Sequence, residues 1–547
     1  MYRSAKKGPK VHLEIQKHRT SCYGLIRSSY REGGKIKHTN HGRITGLDFN
    51  GLKLVQLAIR GLTIPKDSPE GLKTKGAKEY GASYALLKVA EKIGLNKSIY
   101  SRPNEQWVKD CMAMIIGRVI YQGSKLSLSN QWKNTVLWEL CGVEGKVNVK
   151  DHCYKSMDEL LKRQDQIQKK LSKKHMKNGQ MVLYDITSSY FEGAYSESDI
   201  VRFGYNRDQK KGTAQIVIGL ICNKEGCPVG TEVFAGNTPD GQTVTDKINE
   251  AQTKYGIKEL IFVGDRGMVT QATTKKLKDV EGLKLISALT HPQIMALNKR
   301  DVIQMGLFDE KNVVEVIDPE TPFRRYCLCK NLETAKRETQ TRLKLIQSTT
   351  EALIKIESSK KAVSDEKIGG RVGRVLQKYK VGKFIVWAVK DGKLEWSLDT
   401  DKVEAEQKID GCYIIWTNVA ADQLSKDDVV KAYKSLANVE MAFRNIKTVQ
   451  LELRPIFHKT DDRIRAHVFI CMLAYYLQWH LKKMLQPLFQ SDGTHENREW
   501  TFQNVIQRLS MIHKEKAILN KVEFDHISTP ENDQEKILDL LGVKLAL

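Results

Sequence analysis

The sequence lacks any apolar run long enough to cross a bilayer. Its most apolar run, Val468 to Leu477, is about half the length of a membrane-spanning helix. The N-terminal MYRSAKKGPK is basic but is followed by no apolar run, so we expect no secretory signal. Internal repeats and low-complexity tracts are also missing. The composition, 41% hydrophobic and 28% charged residues, is typical of a soluble globular protein, and the length of 547 residues predicts two to four domains.

The ten cysteines lack the spacing of zinc ligands. The close pairs are Cys222 with Cys227 and Cys327 with Cys329, and both lie in strand-like stretches. A free cysteine in such a stretch packs as a small hydrophobic side chain. We therefore expect reduced thiols, which agrees with a cytosolic protein.

Acidic residues are too few to balance the basic ones. The 65 Asp and Glu face 89 Lys and Arg, which gives a formal net charge of +24 and a pI of about 9.4. Such an excess predicts a polyanionic partner. Nucleic acid is the first expectation, and an anionic membrane surface is the second.

The N-terminal third divides into two predicted segments. Residues 1–75 form a basic region in which two strands flank the turn from Arg31 to Gly34, with a linker from Pro65 to Gly71. The hairpin is either a DNA-contacting arm or a solvated surface. Residues 76–178 look helical, which suits a DNA-binding domain and an ordinary helical bundle equally well.

The rest of the chain reads as an interrupted α/β core with a helical tail. Residues 179–290 predict three strands, a helix, a strand, a helix and a strand, the order of an RNase H-like core in which an antiparallel meander leads into a parallel edge. Residues 291–409 have a mixed pattern, predicted as an inserted domain. The core resumes over 410–485, and 486–547 is predicted to be helical.

One amphipathic helix is predicted from Lys426 to Thr448. Along one side of it, three or four positions apart, lie Tyr433, Ala437, Glu440, Arg444 and Lys447. Taken alone, this pattern suits a solvated helix face with a Glu440–Arg444 pair. Such a pair contributes only a few tenths of a kcal/mol.

Two upstream carboxylates change that interpretation. Asp185 ends the first predicted core strand and Asp265 ends the fourth, and neighbouring strand ends of an α/β sheet face a common crevice. Each aspartate alone is more often a turn residue. Together with Glu440 they predict an all-oxygen site for Mg²⁺, with Mn²⁺ second, suited to two-metal phosphoryl transfer. No His or Lys is placed to activate the adjacent hydroxyls of Thr187, Ser188 and Ser189.

These residues lie in motifs that resemble the DDE transposases of bacterial insertion sequences. The motifs are LYDITSSYFEG, RFGYNRDQKKGTAQIVIGL, PVGTEVFAGNTPDG, VGDRGM, DGCYIIWTN, VEMAFRNIKT, LELRPIFH and RIRAHVFICMLAYYL. Tyr433, Glu440 and Lys447 match the Y-x2-R-x3-E-x6-K signature of one branch, whereas Leu436 stands at its Arg position.

The resemblance implies a function and a set of site residues. It implies that Asp185, Asp265 and Glu440 bind the catalytic metal ions and that the insertion before Glu440 is β-rich. It implies a dimeric enzyme that cuts element ends in double-stranded DNA and joins the 3′-hydroxyl to target DNA. It also implies that Tyr433 and Lys447 contact end phosphates.

Other side chains could bind DNA, and two alternative functions remain. Arg444 or Arg454 could replace the missing signature Arg, and Arg266 could hold a phosphate or pair with a carboxylate. Further basic residues could bind the DNA backbone, and strand tryptophans could stack on an unpaired base, although both kinds are often packing residues: Arg463, Arg465, His458, His467, Trp387, Trp396 and Trp416. The alternatives are an RNase H-like nuclease without strand transfer and an inactive basic DNA-binding protein.

Overall fold

The computed structural model describes most of the chain and divides it into two compact units. The described residues are 11–17, 22–60, 72–177, 179–205, 207, 210, 212–240, 242–243, 259–266, 280–304, 313–359, 364–490, 500–519 and 522–546. One unit comprises residues 1–167 and 445–547, and the other comprises 168–444. The predicted linker from Pro65 to Gly71 and the predicted core helices over 243–256 and 270–280 fall largely or wholly outside the described residues.

The first unit begins with a small antiparallel sheet. Its elements are β1 (Val11–Lys17), β2 (Cys22–Glu32), β3 (Lys35–Ile44) and the helix α1 (Phe49–Ile59). Gly33 and Gly34 turn the β2–β3 hairpin with φ of 58° and 79°, a conformation that glycine adopts without a steric penalty. The two predicted strands around this turn are confirmed.

A strand and then a run of helices follow. They are β4 (Leu72–Glu79), α2 (Gly81–Lys92), α3 (Leu95–Ile99), α4 (Gln106–Ile120), α5 (Lys125–Asn130), α6 (Leu137–Leu140), α7 (Lys155–Lys162) and α8 (Gln164–His175). Helix α4 is buried along nearly its whole length, because Val108, Met112, Ile115 and Val119 are joined by further apolar residues on its other faces. The predicted helical character of this part of the chain is confirmed.

The second unit is built on an eight-stranded mixed sheet. Its first strands are β5 (Met181–Tyr190), β6 (Gln215–Asn223), β7 (Pro228–Ala235), β8 (Leu260–Val263) and β9 (Leu283–Ala288). β5, β6 and β7 form an antiparallel meander, whereas β5, β8 and β9 run parallel. The predicted meander leading into a parallel edge is therefore confirmed.

Residues 291–409 differ from the β-rich insertion that the resemblance implies. They contain α9 (His291–Lys299), β10 (Val314–Ile317), β11 (Arg325–Lys330), α10 (Leu332–Glu357), α11 (Asp365–Tyr379), β12 (Ile385–Lys390), β13 (Lys393–Leu398) and α12 (Thr400–Lys408). More of these described residues lie in helices than in strands. Strands β10 and β11 belong to the large sheet. Three glycines weaken the helical signal of α11, but Ile368 and Val372 pack with Leu353 and Leu394 and stabilise it.

The sheet is completed by β14 (Cys412–Thr417), which pairs antiparallel with β9 and β11. Two helices follow, α13 (Lys426–Lys434) and α14 (Ala437–Arg444), and then a π-helical turn, Asn445–Val449. The single helix predicted here is therefore interrupted at Ser435 and Leu436. Helix α13 packs on β9 and β14, and α14 packs on β5 and β6.

The C-terminal elements return to the first unit. They are α15 (Asp461–Met484), α16 (Gln486–Gln490), α17 (Phe502–Ser510), β15 (His513–Leu519), β16 (Val522–Ile527) and α18 (Asn532–Leu541). Helix α15, expected as part of the resumed core, packs on α4 and α7. The prediction of a wholly helical tail is wrong, because β15 pairs with both β16 and β4. Among the described helices, none is long and apolar enough to cross a membrane.

Candidate active site

Asp185, Asp265 and Glu440 line one cavity of about 460 Å³ in the second unit. Asp185 is the fifth residue of the ten-residue strand β5, not its last residue as predicted. Asp265 follows the end of β8. Leu183 and Val263 are register partners in the parallel β5–β8 pair. Asp185 comes two residues after Leu183 and Asp265 two residues after Val263, so the two aspartates lie at the same level of the sheet. Glu440 reaches the cavity from α14, which packs on β5.

The three carboxylates repel one another across the cavity. Burial, together with the negative charges of Asp265 and Glu440, raises the pKa of the Asp185 carboxyl to about 7, although the backbone N–H of Ile186 and the charge of Arg207 act in the opposite direction. The Ile186 N–H donates to Asp185 Oδ1 at 2.7 Å. The cavity therefore concentrates negative charge that a cation would compensate.

Asp265 is held from two sides. The backbone N–H of Arg266 donates to its Oδ1 at 2.7 Å, and the Tyr433 hydroxyl donates to the same oxygen at 3.3 Å. Burial of the Tyr433 ring and the neighbouring charge of Asp265 raise the pKa of this phenol, so it stays a donor at neutral pH. Helix α13 is thereby connected to the end of β8.

The Transposase DDE domain family model matches residues 179–477, more than half of the chain. The chain belongs to this family of DDE transposases. Its substrate class is DNA, and enzymes of the family generally use divalent metal ions. A search of curated proteins finds no match. The family match covers β5 through most of α15 and includes every residue that lines the carboxylate cavity.

The residues predicted to bind DNA are distributed over both units of the transposase. Tyr433 and Arg266 line the cavity with the carboxylates. Arg444 is exposed near the end of α14 and is not among the cavity-lining residues. Lys447 and Arg454 are half-buried and belong to the other compact unit.

Leu436, at the signature's Arg position, lies where α13 gives way to α14. It is only 8% exposed and contributes an apolar surface to the cavity wall. The neighbouring Lys434 lines the same cavity. The transposase therefore has a cation two positions from the place where the signature has one.

Two functional candidates were missed in the sequence. Glu338 of α10 lines the carboxylate cavity and also a neighbouring cavity of about 600 Å³, and it accepts the Gly411 N–H at 2.9 Å. Arg207 is the one cation among the groups that shift the pKa of Asp185. Nothing local marks Glu338, since it lies on a helix rich in charged residues. Arg207 stands in the quoted RFGYNRDQKKG motif, which was a usable signal.

The donor atoms of the cavity suit a hard divalent cation. Mg²⁺ and Mn²⁺ prefer carboxylate oxygens and retain water ligands. The cavity lining offers four carboxylates, those of Asp185, Asp265, Glu440 and Glu338, and no imidazole. Its one sulfur belongs to Cys412, and burial raises the pKa of this thiol to about 11, so it stays protonated at neutral pH. Asp185 and Asp265 are carried by paired strands of the sheet, so they are fixed relative to each other. The residues present fit a metal-binding site.

Proposed function

We propose that this transposase cuts DNA at the ends of a bacterial insertion sequence and joins the freed 3′-hydroxyl to target DNA. The observation that supports this most directly is the convergence of Asp185, Asp265 and Glu440 on one cavity. Their order along the chain agrees with what the resemblance implies, and all three lie within the residues that the family model matches. The catalytic core is then an RNase H-like fold with an insertion within residues 291–409, outside β10 and β11, which join the sheet of the core.

Asp185, Asp265 and Glu440 would hold the divalent ions, Mg²⁺ first and Mn²⁺ second. Bound there, such ions supply charge stabilisation at the transferring phosphoryl group and lower the pKa of a bound water. The remaining lining residues determine what else can enter. Arg266 and Lys434 provide positive charge for DNA phosphates, and Tyr433 orients Asp265 through its hydroxyl.

The side-chain hydroxyls beside Asp185 are unsuited to be nucleophiles. Thr187, Ser188 and Ser189 are 8%, 0% and 0% exposed within β5. The Ser188 oxygen already accepts the backbone N–H of Arg207 at 3.1 Å. A nucleophile must therefore enter from outside the protein, as water for cleavage or as a DNA 3′-hydroxyl for joining.

The further features of the proposal follow from the same resemblance. Tyr433 and Glu440 on α13 and α14, with Lys447 in the turn that follows, support membership of the Y-x2-R-x3-E-x6-K branch, with Leu436 as the departure. Tyr433, Lys447, Arg444, Arg266 and Arg454 would contact DNA. The enzyme would act as a homodimer on paired ends, in the bacterial cytoplasm at the nucleoid.

The test is a strand-transfer assay with the full chain. Labelled DNA carrying the inverted repeats that flank the gene is incubated with a target plasmid and Mg²⁺, then Mn²⁺. Joined products support the proposal, and their 3′ linkage is read by sequencing the junctions. Nicking without joining would instead identify a nuclease, and a gel shift without cleavage in either metal would identify a DNA-binding protein.

A further inference from the structure

Phe203 and Tyr205 are two large aromatic side chains left open to solvent in the second unit. They are 70% and 84% exposed, the highest values among the described large hydrophobic residues. They are two positions apart in a segment that leaves β5 and returns to β6. By contrast, Trp416, one of the tryptophans considered for base stacking, is only 3% exposed.

The backbone that carries this aromatic pair is tightly packed. Arg202 and Gln215 exchange both backbone hydrogen bonds, at 3.0 and 2.9 Å. The Gln215 side chain, fully buried, donates from Nε2 to the carbonyls of Tyr205 and Gly236, each at 2.9 Å. A Cβ on Gly204 would lie 2.0 Å from the Gly236 oxygen. A fixed backbone therefore presents two exposed rings.

The segment that carries the aromatic pair reaches strand β5 at Ser188, near Asp185. Two residues after Tyr205, the backbone N–H of Arg207 donates to Ser188 Oγ at 3.1 Å. Ser188 is three residues from Asp185 on the same strand, a separation of about 10 Å. The charge of Arg207 also acts on the Asp185 carboxyl.

The surroundings of the aromatic pair favour nucleic acid as its partner. Arg202 and Lys210 flank it in exposed ion pairs with Asp199 and Glu192, and Arg207 flanks it in a partly buried pair with Asp240. Exposed ion pairs of this kind contribute little, so DNA phosphates can replace the carboxylate partners. Base stacking on an aromatic ring is favourable for every base, by about 1–3 kcal/mol. A protein partner that covered the two rings with an apolar surface would have these cations beside that surface, which is unfavourable.

We propose that Phe203 and Tyr205 stack on nucleobases of the substrate DNA within a few nucleotides of the cleaved phosphate. This rests on the proposed function for the position of the cut. The rings would hold the strand so that its phosphate stays at the three carboxylates. Sequence preference from such contacts is weak, because every base offers a stacking face.

The test uses 2-aminopurine at successive positions around the cut in element-end DNA. The full-length enzyme is added without divalent metal, so no cleavage occurs. We expect the wild type to change the fluorescence at one or two positions. The double variant Phe203→Ala/Tyr205→Ala should lose that change and bind the end at least about fivefold more weakly. The swapped variant Phe203→Tyr/Tyr205→Phe keeps both rings and should behave as the wild type.

A matched control removes two exposed rings elsewhere, Phe323→Ala/Phe457→Ala, which are 50% and 62% exposed in the wild type. This control should keep both the signal and the affinity. The inference is overturned if the Phe203/Tyr205 alanine variant retains them. It is also overturned if that variant loses only self-association in sedimentation without DNA, since a second copy would then cover the rings.

The outcomes separate this inference from the proposed function. A wild type that changes 2-aminopurine fluorescence but never cleaves in Mg²⁺ or Mn²⁺ contradicts the function and leaves the stacking intact. A wild type that joins strands normally, with an alanine variant that does the same and gives the same fluorescence, contradicts the stacking alone.

Discussion

The Tyr433 hydroxyl donates a hydrogen bond to Asp265 Oδ1 at 3.3 Å, so the residue that opens the signature contacts a carboxylate of the cavity. A phenol has one proton to donate, so this hydroxyl cannot simultaneously donate to Asp265 and to a DNA phosphate. The structure thus gives Tyr433 the task of orienting Asp265, which competes with the phosphate contact that the resemblance implies.

Tyr433→Phe should therefore lower the cleavage rate about tenfold, as expected for about 1.4 kcal/mol of lost positioning. End affinity should fall much less, because the ring and its packing remain. Single-turnover cleavage and a binding titration on the same DNA separate the two effects. A variant that loses affinity but cleaves normally at saturation would assign the hydroxyl to DNA instead.

Neutralising any one of the three carboxylates should abolish cleavage while DNA binding persists. The variants are Asp185→Asn, Asp265→Asn and Glu440→Gln, which keep side-chain size and relieve like-charge repulsion, so thermal stability should not fall. Glu404→Gln, on the exposed face of α12, is the matched control and should cleave as the wild type. Wild-type cleavage by one of the three variants would remove that residue from the proposed site.

Leu436 should behave as a packing residue. It is 8% exposed at the α13–α14 junction, so Leu436→Ala should cost about 2–3 kcal/mol and lower the melting temperature. Leu436→Met conserves volume and should cost less than about 1.5 kcal/mol. Leu436→Arg restores the signature residue, yet we expect it to destabilise the unit without improving end affinity. A tighter-binding, stable Leu436→Arg variant would contradict this reasoning.

Stability should fall in mild acid because two histidines are buried without charge. His467 is 3% exposed, and burial, with the charges of Lys125 and Arg118, holds its pKa well below the usual range. Burial likewise lowers the pKa of His458 to about 3. Below about pH 6.5 the unfolded chain binds protons that the folded chain does not, so stability decreases as pH falls from about 6.5 toward 3.

The check is thermal unfolding at pH 7.5 and 5 for the wild type and for His467→Gln. The variant has no proton to bind at this position, so its midpoint should drop less between the two pH values. An equal drop in both proteins would show that other groups dominate. The burial of His467 also shows that, of the two roles considered for it, this residue serves packing and not DNA binding.

DNA affinity should depend steeply on salt. Each neutralised phosphate releases counterions, so about six contacts give a slope near −5 in a plot of log affinity against log salt. Binding to element ends at several salt concentrations measures it. A slope near zero would mean that the excess of basic residues is not the DNA-binding surface.

The strands that carry the site were readable from the sequence because they are short apolar runs separated by glycine-containing turns. Strands β5, β6 and β7 follow that pattern, and so does β8, which leads to Asp265. The position of Asp185 within its strand was misjudged, since the polar residues after it suggested a strand end, whereas Thr187, Ser188 and Ser189 continue the strand and are buried.

Contacts between distant segments were beyond local reasoning. β4 reads LKTKGAKE, and its pairing with β15 depends on a partner far along the chain. Glu338 approaches the carboxylates only because α10 packs where β14 begins, through the Gly411 N–H. The break between α13 and α14 at Leu436 was not predicted either, because the apolar residues on both sides of it keep helical spacing.

The pairing of β4 with β15 has a consequence for synthesis. More than 400 residues separate these strands, and at about 5–20 residues per second the ribosome needs on the order of 20–90 s to supply the second strand. The exposed edge of β4 must wait that long for its native neighbour, whereas every strand of the large sheet has by then emerged. A nascent chain that stops before β15 would thus contain every residue of the carboxylate cavity, while the other unit would lack β15 and β16.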